Sequence, residues 1–184
     1  MNSYTPRTNR IKQERMQIKV SRTLDWFRAL SVAVILAVVI RLFVFEPFSV
    51  SGPSMQETMH TGDLVLVNKL AYKFGQPKRG EIVVFHASEN KDFIKRVIAL
   101  PGETVEAKNN KILVNGKIVK ESYIADYVRT MDFDEIRVPE GRVFVLGDNR
   151  LNSTDSRAIG SIPISELVGR AELIYWPIAE FKEL

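Results

Sequence analysis

The chain has no cysteine and only two histidines among its 184 residues. The absence of thiols excludes a disulfide framework, a cysteine nucleophile and a thiolate metal site. His60 and His86 stand apart, without a third ligand or the helical spacing of a metal site or a serine–histidine pair. We therefore expect no metal and no cofactor, and covalent chemistry has to come from other residue types.

Most of the chain also lacks an excess of positive charge, although its net charge is +4. Residues 1–28 hold seven lysines and arginines against Glu14 and Asp25, so this tail carries more than the whole surplus. The lysines within residues 108–120 alternate with apolar residues, as on the solvated face of strands. Without a basic patch on the remaining residues, we do not expect nucleic acid as a partner.

The longest stretch free of charged residues, at positions 29–40, has only 12 residues, whereas a bilayer needs about 20 mostly apolar ones. Apolar neighbours at positions 26–27 and 42–48 supply the missing length if Arg28 and Arg41 extend towards the interfaces. A buried core helix and a cleaved signal peptide are the alternatives. The bulky residues 41–47 offer no small-x-small cleavage site, so we predict an uncleaved transmembrane signal anchor at residues 29–45.

The basic residues before this anchor predict its orientation. An excess of lysine and arginine favours the cytoplasmic side, so residues 1–28 are expected to form a cytoplasmic tail. Residues 46–184 are then expected outside, as the extracytoplasmic domain of a single-pass protein of the cell membrane.

Downstream of the anchor the sequence is typical of a mainly β fold. Short apolar runs rich in β-branched and aromatic residues, bounded by glycine and proline, predict strands at 48–51, 64–67, 82–85, 93–100, 111–114, 117–120, 143–146 and 171–176. Asn115 and Gly116 between two of them predict a tight hairpin. We expect a folded antiparallel sheet or barrel, a short helical turn at 165–168 and a small inserted β lobe at about 103–137.

A serine and a lysine stand out as candidate catalytic residues. Ser54 follows the anchor within a few residues, and Lys95 lies in an apolar run with Phe93 and Val97 on its own strand face. A serine hydroxyl needs a base to take its proton, and a lysine can serve only when burial keeps its amine neutral. Taken alone, Lys95 is more typical of a strand residue with its amine in water, and Ser54 of a turn.

Three segments taken together resemble a known family. They are SGPSMQETM at 51–59, KRVIALPGE at 95–103 and GDNRLNSTDSR at 147–157, in that order after the anchor. The chain is similar to the bacterial type I signal peptidases, the membrane-bound serine–lysine enzymes that remove signal peptides from exported proteins. One anchor, small size and no cysteine resemble the Gram-positive branch.

The resemblance implies a role for each matching position. Ser54 would be the nucleophile and Lys95 the general base of a serine endopeptidase that works through an acyl-enzyme. Ser153 would hydrogen-bond the lysine amine and orient it. The supporting residues implied are Arg96 and an ion pair of Asp155 with Arg157.

The resemblance also implies the partners. Its substrates would be exported preproteins bound in extended form and cleaved after small-x-small motifs such as Ala-x-Ala, at the surface of a lipid bilayer. The positions that line the family's substrate pockets correspond here to Val50, Met55, Met59, Phe93 and Ile94, each of which could equally belong to the core.

Three positions depart from the family pattern. Glu57 and Met59 stand where the family usually has proline and leucine. Gly52 stands where some members have a serine whose hydroxyl stabilises the oxyanion, and losing such a donor costs about 10²–10³ in rate. The oxyanion hole would then use the Ser54 N–H and a second, unidentified donor.

Two other readings of the sequence stay open at this stage. An inactive relative could bind exported or surface proteins as an assembly factor, although both members of the serine–lysine pair are present. Self-cleaving repressors use a similar pair on a related β fold, but the basic tail and apolar anchor do not form a DNA-binding module.

Overall fold

A computed structural model describes residues 7–88 and 91–184, with the side chains of 7–24 and 88 not described. Part of the tail predicted at residues 1–28 therefore lies outside the described residues. The chain divides between Leu42 and Phe43 into two units.

The first unit is dominated by one helix, α1, at Arg7–Phe43, a segment without proline or glycine. Its part from Asp25 to Phe43 has a mean hydropathy of 2.1, long and apolar enough to cross a membrane. Every side chain of that part is exposed, including Trp26 at 65%. Such an apolar surface is costly in water and favourable in lipid. The helix ends two residues before the predicted end of the anchor, because Phe45 already pairs with Asn68 in the first strand.

The second unit contains a large antiparallel sheet of eight strands. Its strands are β1 (Phe45–Ser49), β2 (Leu64–Asn68), β3 (Ile82–Ser88), β4 (Lys91–Ala99), β9 (Arg142–Leu146), β10 (Ile162–Pro163), β11 (Leu167–Trp176) and β12 (Lys182–Glu183). The order is β1-β2-β11-β3-β4-β9-β10, with β12 also paired to β11. Short helices lie at Ala71–Phe74 (α2) and Ser156–Ile159 (α3), and single 3₁₀ turns at Ile164–Glu166 and Ile178–Glu180.

A smaller sheet is inserted between β4 and β9. Its strands are β5 (Thr104–Lys108), β6 (Lys111–Val114), β7 (Lys117–Ile118) and β8 (Phe133–Arg137), in the order β7-β6-β5-β8. Asn115 and Gly116 both have positive φ, at 51° and 72°, as the predicted tight hairpin requires. A buried apolar cluster that includes Val105 and Ile112 from this sheet also contains Ile98 and Phe144 from the large one.

The mainly β fold with a small inserted β lobe is confirmed, and both described sheets are open, so the barrel alternative does not apply. Strand β4 is central to the large sheet, between β3 and β9. Every residue from Ile94 to Ala99 is buried. This central position, with neighbours on both sides and both faces, places Lys95 in the interior.

Candidate active site

Ser54 lies in the loop between β1 and β2. Gly52 in this loop adopts φ 88°, a conformation that favours glycine. Met55 and Met59 are fully buried in the core and anchor the residues after the serine. The carbonyl oxygen of Ser54 accepts a hydrogen bond of 3.0 Å from the Asn149 N–H, which fixes the serine backbone to the loop after β9.

Lys95 meets Ser54 directly. Its amine donates a hydrogen bond of 2.8 Å to Ser54 Oγ and a second of 2.8 Å to the Ile94 carbonyl. The lysine is 4% exposed, and its Nζ lies 5.0 Å from the centre of the Phe93 ring. The serine and lysine, 41 positions apart in the sequence, are therefore in hydrogen-bond contact.

Burial lowers the pKa of Lys95 to about 8, because the charged amine loses water in the interior. The carboxylates of Asp155 and Asp148 act in the opposite direction but do not compensate. A lysine with this pKa is partly neutral near neutral pH, which general-base chemistry requires.

The loop after β9, residues 147–157, carries the third group of predicted site residues. Asp155 is fully buried and pairs with Arg157 at 2.8 Å, as the sequence analysis expected. Burial alone would raise the pKa of Asp155, but hydrogen bonds from Arg157 and the Gly147 N–H outweigh that effect, so the net shift of the pKa is downward. The predicted hydrogen bond between Ser153 and the lysine amine is not formed: among the described residues, Ser153 Oγ is buried and makes no hydrogen bond of good geometry, although it lies near enough to Asp155 to help lower the pKa of that carboxyl.

Arg96 belongs to a buried ion pair. Its Nη2 lies 2.6 Å from the Asp148 carboxylate, with side-chain exposures of 8% and 1%. Asp148 also accepts a hydrogen bond of 2.5 Å from Thr58, four residues after the serine, and Arg96 donates to the Gly80 carbonyl at 2.8 Å. The pair therefore joins β4, the serine loop and the loop after β9.

Gly147 lies close to both Ser54 and Ser153. A β-carbon at this position would collide with the Ser54 carbonyl oxygen and with the side chain of Ser153. This steric requirement explains why the segment at residues 147–157 begins with glycine.

Ser54 and Lys95 line an open cleft of about 600 Å³. Of the predicted substrate-contact residues, Phe93 and Ile94 line this cleft. Val50, Met55 and Met59 are packed in the core, with exposures of 2%, 0% and 0%. Gly52 also lines the cleft and brings no hydroxyl there, whereas Ser51 and Thr154 lie along the same walls.

Neither histidine is among the described residues that line the cleft. His86 pairs with Asp92 at 2.6 Å on the surface. Within residues 7–88 and 91–184, no cluster of three His, Cys, Asp or Glu side chains is suited to hold a metal ion.

Five residues around the site were not given a role from the sequence: Thr58, Glu121, Tyr123, Asp148 and Arg150. Asp148 and Arg150 lie within the segment that carried the resemblance, so their positions were signalled and only their contacts were not. Glu121 contacts Arg150 across 29 positions, and no periodicity or spacing in the sequence indicates that pair.

Comparisons with known proteins found a matching family model and several similar proteins. A family model described as signal peptidase, peptidase S26, matches residues 23–176. Signal peptidase I of Bacillus caldolyticus is 44% identical over 176 residues, covering 89% of this chain and 94% of that protein. Signal peptidase I T of Bacillus subtilis is 40% identical, covering 90% and 91%, and signal peptidase IB of Staphylococcus aureus is 38% identical, covering 86% and 92%. A crystal structure of a signal peptidase I from Enterococcus faecalis aligns with a TM-score of 0.47 and 34% identity, covering 52% of this chain and 96% of that one.

Proposed function

This chain belongs to the signal peptidase family, peptidase S26, and on that premise we propose that it removes signal peptides from exported preproteins with Ser54 as nucleophile and Lys95 as general base. Membership of the family makes it a peptidase that acts on signal peptides. The observation that carries the finer assignment is the 2.8 Å contact between Lys95 Nζ and Ser54 Oγ, made by a buried lysine whose pKa is lowered to about 8.

The proposed reaction begins with the neutral form of Lys95. The amine takes the Ser54 proton as Oγ attacks the carbonyl carbon of the scissile peptide bond. Lys95 then gives that proton to the departing amine, which leaves an acyl-enzyme on Ser54. Lys95, neutral again, removes a proton from the water that attacks the ester, and returns that proton to Ser54 Oγ as the acyl group leaves.

The supporting residues keep this pair in register. The Arg96–Asp148 and Asp155–Arg157 pairs hold β4 and the loop after β9 around the serine backbone. We assign one oxyanion donor to the Ser54 N–H, since Gly52 offers no hydroxyl. We assign Ser153, whose Oγ is buried near Asp155, to orient the lysine amine.

An extended preprotein segment fits the open cleft beside β4. Phe93 and Ile94 on its wall favour small side chains next to the scissile bond, which supports cleavage after Ala-x-Ala. Met55, Met59 and Val50 act behind that wall as packing. No cofactor is needed for this chemistry.

The apolar segment Asp25–Phe43 serves as a single membrane anchor. The basic residues before it place the N-terminus in the cytoplasm and residues 46–184 outside, where exported preproteins emerge.

The test is cleavage of a preprotein with an Ala-x-Ala site by the detergent-solubilised full chain, beside Ser54→Ala and Lys95→Ala. We expect the wild type to generate the mature N-terminus, identified by mass spectrometry, and both variants to lose at least about 10⁴-fold in kcat. Binding of several preproteins without cleavage would instead favour an assembly factor. Cleavage that survives Lys95→Ala would refute the general-base assignment.

A further inference from the structure

The residues between β7 and β8 contact the loop after β9, which is itself hydrogen-bonded to Ser54. Residues 121–130, here named the clamp segment, form hydrogen-bonded turns, such as that from the Ile124 N–H to the Glu121 carbonyl at 3.1 Å. The segment is tied to the small sheet by a hydrogen bond of 2.6 Å from the Thr130 N–H to Asn110. None of its residues lines the cleft around Ser54.

The principal contact of the clamp segment is with Arg150, whose side chain is completely buried. Both guanidinium NH₂ groups donate to the Glu121 carboxylate, and one also donates to Thr130 Oγ1 at 3.0 Å. Arg150 Nε donates to the Gly147 carbonyl at 3.1 Å. Glu121 is therefore the counter-ion of a buried cation that grips the first residue of the loop.

A second contact joins Glu121 to the same loop. The Tyr123 hydroxyl donates to Glu121 at 2.9 Å, and the Arg96 guanidinium stacks on the Tyr123 ring at 3.8 Å. Arg96 in turn pairs with Asp148. Glu121 thus holds Gly147 through Arg150. Through Tyr123 it also supports Arg96, the residue that pairs with Asp148.

The loop gripped in this way is the one that fixes the serine. Gly147 packs against the Ser54 carbonyl, and the Asn149 N–H donates to it. Resting on the proposed function, we propose that Glu121 is a positioning residue of the peptidase: acting through Arg150, it holds residues 147–149 against Ser54 and so keeps Ser54 Oγ in reach of Lys95.

The physical reason is the cost of an unpaired buried charge. Without the Glu121 carboxylate, the Arg150 guanidinium loses its hydrogen-bonded counter-ion. The Asp148 carboxylate also acts on Arg150 through its charge, but it is already paired with Arg96, so the guanidinium has to turn towards water. That movement releases the Gly147 carbonyl and lets the Asn149 N–H drift from the Ser54 carbonyl. Small displacements of a nucleophile from its base are expensive in rate, while the cleft that binds the peptide is left in place.

The test compares Glu121→Gln, which keeps the shape and removes the charge, with Glu106→Gln in the small sheet. Glu106 also pairs with a basic residue, Lys108, but that pair does not contact the loop after β9, which makes it a matched control. We expect Glu121→Gln to lower kcat about 10²-fold with KM unchanged. Amide hydrogen exchange of the full chain in detergent should quicken at residues 147–150 in this variant alone.

A double variant separates positioning from a general loss of folding. In Glu121→Gln the unpaired charge should lower the thermal unfolding midpoint. Adding Arg150→Met removes that charge, so the midpoint should return towards the wild-type value. Gly147 still lacks its donor, so kcat should stay low and exchange at residues 147–150 fast.

Recovery of kcat in the double variant would overturn the proposal, and so would unchanged exchange at residues 147–150 in Glu121→Gln. If the wild type itself cleaves no preprotein, the proposed function fails. The exchange of residues 147–150 then decides the positioning role alone.

Discussion

Lys95 in the large sheet and Lys108 in the small sheet are both strand residues, yet their pKa values shift in opposite directions. Burial lowers the pKa of Lys95 to about 8. The pKa of Lys108 is raised, first by its hydrogen bond to Glu106 and then by that carboxylate's charge. The comparison shows that burial in the centre of a sheet decides which lysine can act as a base.

The difference follows from topology. Strand β4 has partners on both sides and packed side chains on both faces, so Lys95 is 4% exposed. Lys108 is the last residue of β5, opposite Lys111 at the end of a hairpin, and its side chain is 64% exposed. Contact with water keeps the Lys108 amine charged, whereas the removal of water favours the neutral form of the Lys95 amine.

The largest expected effect comes from replacing each lysine by arginine, which stays charged in proteins. Lys95→Arg should lower kcat for preprotein cleavage by at least about 10²-fold, because no neutral base remains. Lys108→Arg should leave kcat unchanged. The measurement is initial cleavage rate at saturating substrate, and an active Lys95→Arg variant would contradict the role given to the lysine.

A second contrast concerns stability. Between the ordinary pKa of 10.5 and the value of about 8 in the folded protein, burying Lys95 costs up to about 3 kcal/mol at pH 7. Because the folded pKa is the lower one, this penalty is complete below pH 8 and disappears above the unfolded pKa. Lys95→Met should therefore raise the free energy of unfolding at pH 7, and the gain should vanish at alkaline pH. Denaturant unfolding in detergent measures it.

The matched change Lys108→Met should change the free energy of unfolding only slightly, since that amine is largely exposed and its pair with Glu106 is a surface ion pair. If Lys95→Met gave no gain at pH 7 while it abolished cleavage, the lysine would be paired or hydrated more strongly than its surroundings indicate.

The smallest expected effect is on the pH profile. In the wild type, kcat/KM should rise with pH to a midpoint near 8, as Lys95 loses its proton. Asp148 raises the pKa of Lys95, so Asp148→Asn should move that midpoint to lower pH. Glu106→Gln should not move it. A midpoint shifted upward in Asp148→Asn would reverse the assigned sign.

Much of the fold was predictable because the strands of the large sheet are apolar and bounded by turn residues. Strands β5 and β8 were missed: β5 alternates polar with buried residues, and β8, at the edge of the small sheet, is mostly exposed and polar. Strand β1 begins at Phe45, which had been assigned to the anchor as part of an apolar run. The strand includes Pro47, which an edge strand tolerates. The helical turn predicted at 165–168 is a single 3₁₀ turn at Ile164–Glu166.

The candidate site residues Ser54, Lys95, Asp155 and Arg157 were predicted from the resemblance of three segments to a known family, because each residue taken alone fits a turn, a strand or an ordinary surface charge. The contacts of Arg150 with Glu121 were not, since they join residues from separate elements through folding alone. The direct contact of Lys95 with Ser54 was foreseen, whereas Ser153 lies beside it without the expected hydrogen bond.

Binding of a peptide in the open cleft is expected to be coupled to the protonation state of the buried Lys95. With a pKa of about 8, only about a tenth of the molecules carry a neutral Lys95 at pH 7 before a peptide arrives. A peptide that fills the cleft excludes more water from the amine and lowers its pKa again. Filling the cleft is thus expected to release a proton to the medium, so that the substrate itself helps to produce the base that attacks it.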